Sequence, residues 1–224
     1  MFDRLKVLIG EENLEKIGSK NILLLGVGGV GGYVAESLIR SGVHHLTIVD
    51  KDVIDLTNLN RQIIALHSTV GKFKVDVLRE RLEDINPKVN IHTNKANLTE
   101  SNLEELNLDS YDYVVDCIDD VKVKVALAKI ALDRKLNLIM STGTAKKFDP
   151  SKLSMTTLDK TNYDPLAKKM RQYLKDYDTK RIVVLASSEP AKGTCGNVLG
   201  STAFVPSAGG LLIGSYIIKD IIKK

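Results

Sequence analysis

Gly26, Gly28, Gly29 and Gly31 lie within six residues and contain the spacing G-x-G-x-x-G. Glycine at such points permits a tight turn, lets a phosphate approach the backbone, and lets a helix pack closely on a strand. An anion held there would meet the N–H groups of the helix that follows. Asp50 comes 24 residues after Gly26, where a carboxylate can accept bonds from ribose hydroxyls. Glycines that only make a tight turn are the alternative, but the acidic residue favours a nucleotide.

The next segment bears on which nucleotide. A dinucleotide-binding chain would pass from Asp50 into another crossover helix. Here a polar stretch follows, with Asp52, Asn58, Asn60, Arg61 and Gln62, and then Lys72 and Lys74 open a helix. Arginine clamps phosphate oxygens in pairs and lysine acts as a point charge, so this set suits a triphosphate better than a pyrophosphate bridge. A polar surface loop is the competing reading. Asp119 and Asp120 follow an apolar run over 114–118. A carboxylate beside a triphosphate is a natural magnesium ligand. Asp120 serves equally well as the cap of a helix beginning near Val121.

Periodicity predicts the elements that carry these residues. The run 21–25 is apolar and ends at the glycines, as a strand buried on both faces does. Helical spacing continues through Val34, Leu38 and Ile39, and a second strand covers 46–50. Val75, Leu78, Leu82 and Ile85 form one helix face over 72–85. Strands are expected at 89–92, 113–118 and 138–140, with helices over 101–106 and 121–132. Strands alternating with helices imply right-handed crossovers and a Rossmann-like, mainly parallel α/β sheet flanked by helices. After Ser141 the pattern weakens into a less regular C-terminal lobe, with strands at 153–158 and 182–185 and helices over 165–174 and 207–223. We read a single domain, 1–224, with a nucleotide-binding half over 1–145 and a second half over 146–224.

Composition bounds the rest. The 224 residues are 43% hydrophobic and 27% charged, which excludes disordered and fibrous chains. Cys117 and Cys195 are too few for a disulfide framework and form no CxxC pair, so no zinc is expected. Cys117 lies in an apolar run and reads as core. Cys195 lies in a Gly-flanked loop and reads as an incidental thiol. No signal peptide is apparent, and Gly214, Ser215, Tyr216 and Lys219 interrupt the apolar stretch near the C-terminus, so we expect a soluble, cytoplasmic protein with no membrane contact. His67 could stand near the site but reads more readily as a hydrogen-bonded surface histidine. Residues 1–140 carry 18 Lys and Arg against 21 Asp and Glu, whereas residues 141–224 carry 14 against 7. Such asymmetry suggests that one part faces a polyanion, unless it is a solvated lysine-rich surface.

Together, Arg4, the glycine loop, Asp50-x-Asp52, Asn58-x-Asn60-Arg61-Gln62, Gly71-x-x-Lys74, Ile85-Asn86-Pro87 and Asp116-Cys117-Ile118-Asp119 resemble the ubiquitin-activating-enzyme-like adenylyltransferases. The resemblance runs through the first half, 1–145. It implies binding of ATP with Mg²⁺ and transfer of AMP to a carboxylate, with loss of pyrophosphate. Carried over position by position, it implies nucleotide contacts from Gly26, Gly28, Gly29, Gly31, Asp50, Asp52, Asn58, Gln62 and Lys74. Arg61, Lys74 and Asp119 would act on the phosphates, Asp119 through magnesium. Arg4 would reach the ATP of the opposite subunit, which implies a homodimer. Asp120 and Gly32 depart from the usual pattern, where asparagine and a small polar residue are frequent.

The second half resembles the tRNA threonylcarbamoyladenosine dehydratases, through Met140-Ser141-Thr142-Gly143-Thr144-Ala145, Asp149-Pro150-Ser151-Lys152-Leu153, Asp164-Pro165-Leu166-Ala167 and Phe204-Val205-Pro206-Ser207-Ala208-Gly209-Gly210. The implied substrate is tRNA carrying threonylcarbamoyladenosine beside the anticodon. Its threonyl carboxylate would be adenylated and then attacked from within the modification, with net loss of water. Lys146, Lys147, Lys168, Lys169, Arg171, Lys180 and Arg181 would then meet tRNA phosphates, and Lys175 belongs to the same basic set. A sulfur-transfer partner protein is a further expectation. The rival reading is an adenylyltransferase for the C-terminal carboxylate of a ubiquitin-like sulfur carrier.

Overall fold

The computed structural model describes residues 1–192 and 199–224. In chain order the elements are α1 (Asp3–Ile9), α2 (Glu11–Gly18), β1 (Asn21–Leu25), α3 (Gly31–Arg40), β2 (His45–Val49), α4 (Lys74–Ile85), β3 (Asn90–Asn94) and β4 (Tyr113–Asp116). They continue with α5 (Val121–Arg134), β5 (Leu138–Ser141), β6 (Leu153–Thr157), α6 (Pro165–Tyr173), β7 (Val183–Ser187) and α7 (Phe204–Lys223). Seven strands form one sheet in the order β3-β2-β1-β4-β5-β7-β6. Every pairing is parallel except that of β6 with β7.

Burial explains the strand sequences. Central β1 and β4 are covered on both faces and are apolar apart from Asn21 at the start of β1 and Asp116 at the end of β4. Edge strand β3 alternates partly buried Ile91 and Thr93 with exposed His92 and Asn94. One face of the sheet carries Ile22, Leu24, Val115 and Leu185, packed with Val34, Leu38, Leu78, Ile213 and Ile217. The other carries Leu23, Leu25, Val114 and Met140, packed with Leu127, Ala128, Met170 and Leu174. Residues from 146 onward are less regular, as expected, and they complete the same sheet: β7 pairs with β5, and β6 closes the edge.

Helix α7 is long and apolar enough to span a bilayer by length and composition, with a mean hydropathy of 1.3 over its most apolar window. Its apolarity is that of a core helix, with Val205, Ile213, Ile217 and Ile221 buried, and its glycines let it lie directly on α3. A Cβ at Gly210 would come within 2.5 Å of the Val30 carbonyl, and one at Gly214 within 2.0 Å of Ser37 Oγ. The helix begins at Phe204, earlier than expected, with Pro206 in its first turn where no backbone donor is required.

Two features escaped periodicity. Helix α1 buries no residue, and the eight residues of α2 leave room for only a short apolar face, Leu14 and Ile17. Gly10, at φ +85°, separates them. The helix expected over 101–106 is a short 3₁₀ turn, Leu103–Leu106.

Candidate active site

The carboxyl ends of β1, β2 and β4 open onto one rim, the place where parallel sheets bind ligands. The glycine loop crosses it. Gly26 has φ +92°, and a Cβ there would meet the Cys117 carbonyl at 2.7 Å. A Cβ at Gly31 would lie 2.0 Å from the Gly26 carbonyl. Both positions therefore require glycine for the turn itself. Gly28 differs, because a Cβ there meets nothing within 4 Å. Its missing side chain leaves open space above the backbone at the start of α3, and α3 has no side-chain cap. That combination is a cradle for phosphate.

Asp50 is pinned beneath the loop. Its Oδ2 accepts the Val27 N–H at 2.6 Å and its Oδ1 accepts the Asp52 N–H at 2.8 Å. Each oxygen keeps a lone pair for ribose hydroxyls. The next residues form a 3₁₀ turn, Leu56–Asn58, held by a reciprocal cap. The Asp55 carboxylate accepts the Thr57 N–H, and the buried Asn58 Oδ1 accepts the Asp55 N–H. This turn aims Arg61. One guanidinium nitrogen donates to the Thr57 carbonyl at 2.7 Å and to Asn60 Oδ1 at 3.0 Å. The arginine stem passes Gly29, 3.4 Å from where a Cβ would stand. Gln62 is buried and its Oε1 finds no hydrogen-bond partner, which leaves an acceptor for a ligand donor. Lys74 is also buried and reaches Asp52 Oδ2 at 2.9 Å. The residues present fit a nucleoside triphosphate.

Under this rim lies a group that sequence reading missed. Asp116 ends β4, Lys124 lies near the start of α5, and both side chains are fully buried. Lys124 Nζ donates to Asp116 Oδ2 at 2.8 Å and to the Ser141 carbonyl at 2.8 Å, which ties the ends of β4 and β5 together. The other Asp116 oxygen accepts the Ile118 N–H at 2.9 Å and shapes the turn into Asp119. Burial pushes the Asp116 carboxyl above the usual carboxylate range, and the Lys124 ammonium opposes that shift. Asp119 itself is exposed at the rim. Asp120 is occupied as the cap of α5, accepting the Lys122 N–H at 2.8 Å. The Cys117 thiol is likewise pushed up by burial. Cys195 lies outside the described residues. His67 is exposed.

A second rim segment follows β5. Asp164 caps α6 and also accepts the Gly143 N–H at 2.7 Å. Glu189 is buried, and its Oε2 accepts the Phe148 and Asp149 N–H groups at 2.8 and 2.9 Å. Those two bonds hold its carboxyl down at about 2.

The expected phosphate-binding cations do not form one surface. Lys147 is a correction: it is 3% exposed, and its ammonium is turned inward to the Tyr163 and Glu189 carbonyls. Arg171 is another, because its guanidinium is occupied by the Leu158 and Thr161 carbonyls and the Thr161 hydroxyl. Lys180 and Arg181 precede β7 and stand at its amino end, across the sheet from the rim. Lys168 and Lys169 are exposed on α6, and Lys146 is partly exposed beyond β5. Arg4 is exposed on α1, whose neighbour Phe2 packs near His44 at the amino end of β2. It is thus remote from its own glycine loop. Among the described residues no three His, Cys, Asp or Glu side chains cluster to hold a metal unaided. Asp119 fits magnesium only as one ligand among phosphate oxygens and waters.

The ThiF family model matches residues 2–219. The chain is 38% identical to tRNA threonylcarbamoyladenosine dehydratase of Bacillus subtilis over 240 aligned residues, which cover 99% of this chain and 94% of that protein. It is 32% identical to the Haemophilus influenzae protein of the same name, over 95% of this chain and 90% of that one. Among solved structures, the Escherichia coli tRNA N6-threonylcarbamoyladenosine dehydratase in complex with ATP superposes with a TM-score of 0.93 at 32% identity, covering 99% of this chain and 93% of that one.

Proposed function

The chain belongs to the ThiF family, and on that premise we propose that it dehydrates threonylcarbamoyladenosine in tRNA with consumption of ATP. The observation that carries this reading is the match to an ATP-bound dehydratase along 99% of the chain, including the β6–β7 edge and α7. The site supplies what the first step demands. A carboxylate is a poor electrophile, and adenylation gives it a good leaving group. The threonyl carboxylate attacks the α-phosphorus, forming a C–O–P link as the bond to pyrophosphate breaks. Asp50 holds the ribose, and the backbone at Gly28 and Gly29 cradles the phosphates. Asn58, Arg61 and Lys74 stabilise charge spreading onto the leaving oxygens. For Lys74 this requires its ammonium to turn from Asp52 to phosphate. Asp119 would hold Mg²⁺, which neutralises phosphate charge when bound. Arg4 would complete the site of the opposite subunit in a homodimer.

In the second step a nitrogen of the same modification attacks the activated carbonyl. AMP leaves, the nitrogen loses its proton, and the modification has lost the elements of one water, which are taken up in splitting ATP to AMP and pyrophosphate. Proximity drives ring closure because nucleophile and electrophile share one molecule. No thioester is needed, in keeping with a Cys117 that is half-buried against the core. Docking of a sulfur-transfer partner belongs to the same expectation, although ring closure requires none. We expect the reaction to take place in the cytoplasm, a compartment that holds tRNA.

The test is pyrophosphate release. We expect release from ATP with tRNA bearing threonylcarbamoyladenosine and none with unmodified tRNA. Release driven instead by a carrier protein ending in Gly-Gly would overturn the reading.

A further inference from the structure

Two aromatic rings stand open at the rim. Phe148 and Phe204 are 60% and 42% exposed, and they meet edge to face with centroids 5.1 Å apart. Each sits on fixed backbone. The Phe148 N–H is bonded to buried Glu189, and Phe204 opens α7 two residues before Pro206. The Pro206 ring lies 3.1 Å from where a Cβ on Gly29 would stand, so the pair adjoins the phosphate loop. Asn60 donates to the Ser201 carbonyl at 3.2 Å and joins the Arg61 turn to this segment. Cations flank the rings. Lys192 lies 5.7 Å from the Phe148 centroid, and Lys146 is two residues away in sequence. The nearby carboxylates are occupied: Glu189 by two backbone N–H groups and Lys192, and Asp149 by Ser151.

Apolar side chains exposed singly mean little, but paired rings on rigid backbone among cations match how proteins hold unpaired bases. We propose that Phe148 and Phe204 form a stacking platform for an unpaired nucleobase of the anticodon loop, adjoining the nucleoside whose carboxylate is activated. The proposal rests on the RNA substrate assigned above. It gives the enzyme a hold on the loop that is independent of phosphate charge, and it positions the modified nucleoside against ATP.

The test compares wild type with a Phe148→Leu, Phe204→Leu double variant, which keeps apolar bulk but removes the rings. A Phe148→Tyr variant keeps the ring. The probe is a fluorescent anticodon stem–loop RNA carrying threonylcarbamoyladenosine, read by anisotropy, alongside turnover of full tRNA. We expect the double variant to bind the stem–loop about tenfold more weakly and to raise KM for tRNA in parallel, as loss of one stacked base requires. ATP affinity and melting temperature should stay at wild-type values, and Phe148→Tyr should behave as wild type. An abasic nucleotide beside the modified adenosine should abolish the difference between wild type and double variant. Equal stem–loop affinity in the two proteins would overturn the platform. So would weaker binding that merely follows loss of self-association in sedimentation, which would make the rings a subunit contact. Absence of pyrophosphate release by the wild type is a separate failure, that of the proposed function, and it leaves the binding comparison readable.

Discussion

At Asp116 and Lys124 two opposite charges sit in full burial, and their value depends on both being present. Replacing Lys124 by methionine strands the Asp116 carboxylate, and we expect a loss of about 3–5 kcal/mol in unfolding free energy. Adding Asp116→Asn should recover most of that stability, as denaturant titration would reveal. Recovery of stability without recovery of turnover would show that the pair also positions Asp119. Arg61 and Asp119 behave oppositely, because neither holds the core. Arg61→Ala and Asp119→Ala should each lower pyrophosphate release by about 10²–10³-fold with an unchanged melting temperature. Wild-type turnover in either variant would remove that residue from the site. Arg61 and Asp119 were legible in the sequence because their spacing to the glycine loop and to a strand end reports position. Lys124 was not, since a lysine in a helix gives no sign of which way it turns. Lys147 misled for the same reason.

The elements show why glycine is not one kind of residue here. Gly28→Ala should fold as wild type, because a Cβ there meets nothing within 4 Å, yet it should weaken ATP binding about tenfold by occupying phosphate space. Gly210→Ala should do the reverse. Its Cβ would meet the Val30 carbonyl at 2.5 Å, forcing α7 off α3 at a cost of about 1–3 kcal/mol. Calorimetry and nucleotide titration on the two variants separate these effects. The rim segment after β5 carries a pH dependence. The Glu189 carboxyl titrates near 2 in the fold against an ordinary value of 4.5, so its stabilising bonds are present in full above about pH 4.5. They fade as pH falls toward 2. Wild type should melt above Glu189→Gln at pH 7, and the gap should narrow on acidification through that window. The parallel sheet was legible because apolar runs alternate with helical spacing. The short helices α1 and α2 were not, since seven and eight residues give too few turns for the period to register.

For the whole molecule, the basic excess of residues 141–224 was visible in composition, but only the fold divides it between two ends of the sheet. Reversing Lys168 and Lys169 to glutamate should weaken tRNA binding and flatten its salt dependence, with a log–log slope lower by roughly one for each phosphate left unneutralised. Reversing Lys180 and Arg181, across the sheet, should do less at the same ionic strengths. Equal effects would show that the RNA wraps the molecule rather than meeting the rim alone. ATP affinity should be the same in both variants, because neither pair adjoins the glycine loop. All of these effects presuppose one reaction, and the nucleoside itself reports it. The most direct measurement is the mass of the modified adenosine recovered from tRNA after incubation with the enzyme, ATP and Mg²⁺. The account predicts loss of one water, dependent on ATP and slowed by about 10²–10³-fold in Arg61→Ala. An unchanged mass in the presence of folded, ATP-binding enzyme would contradict it.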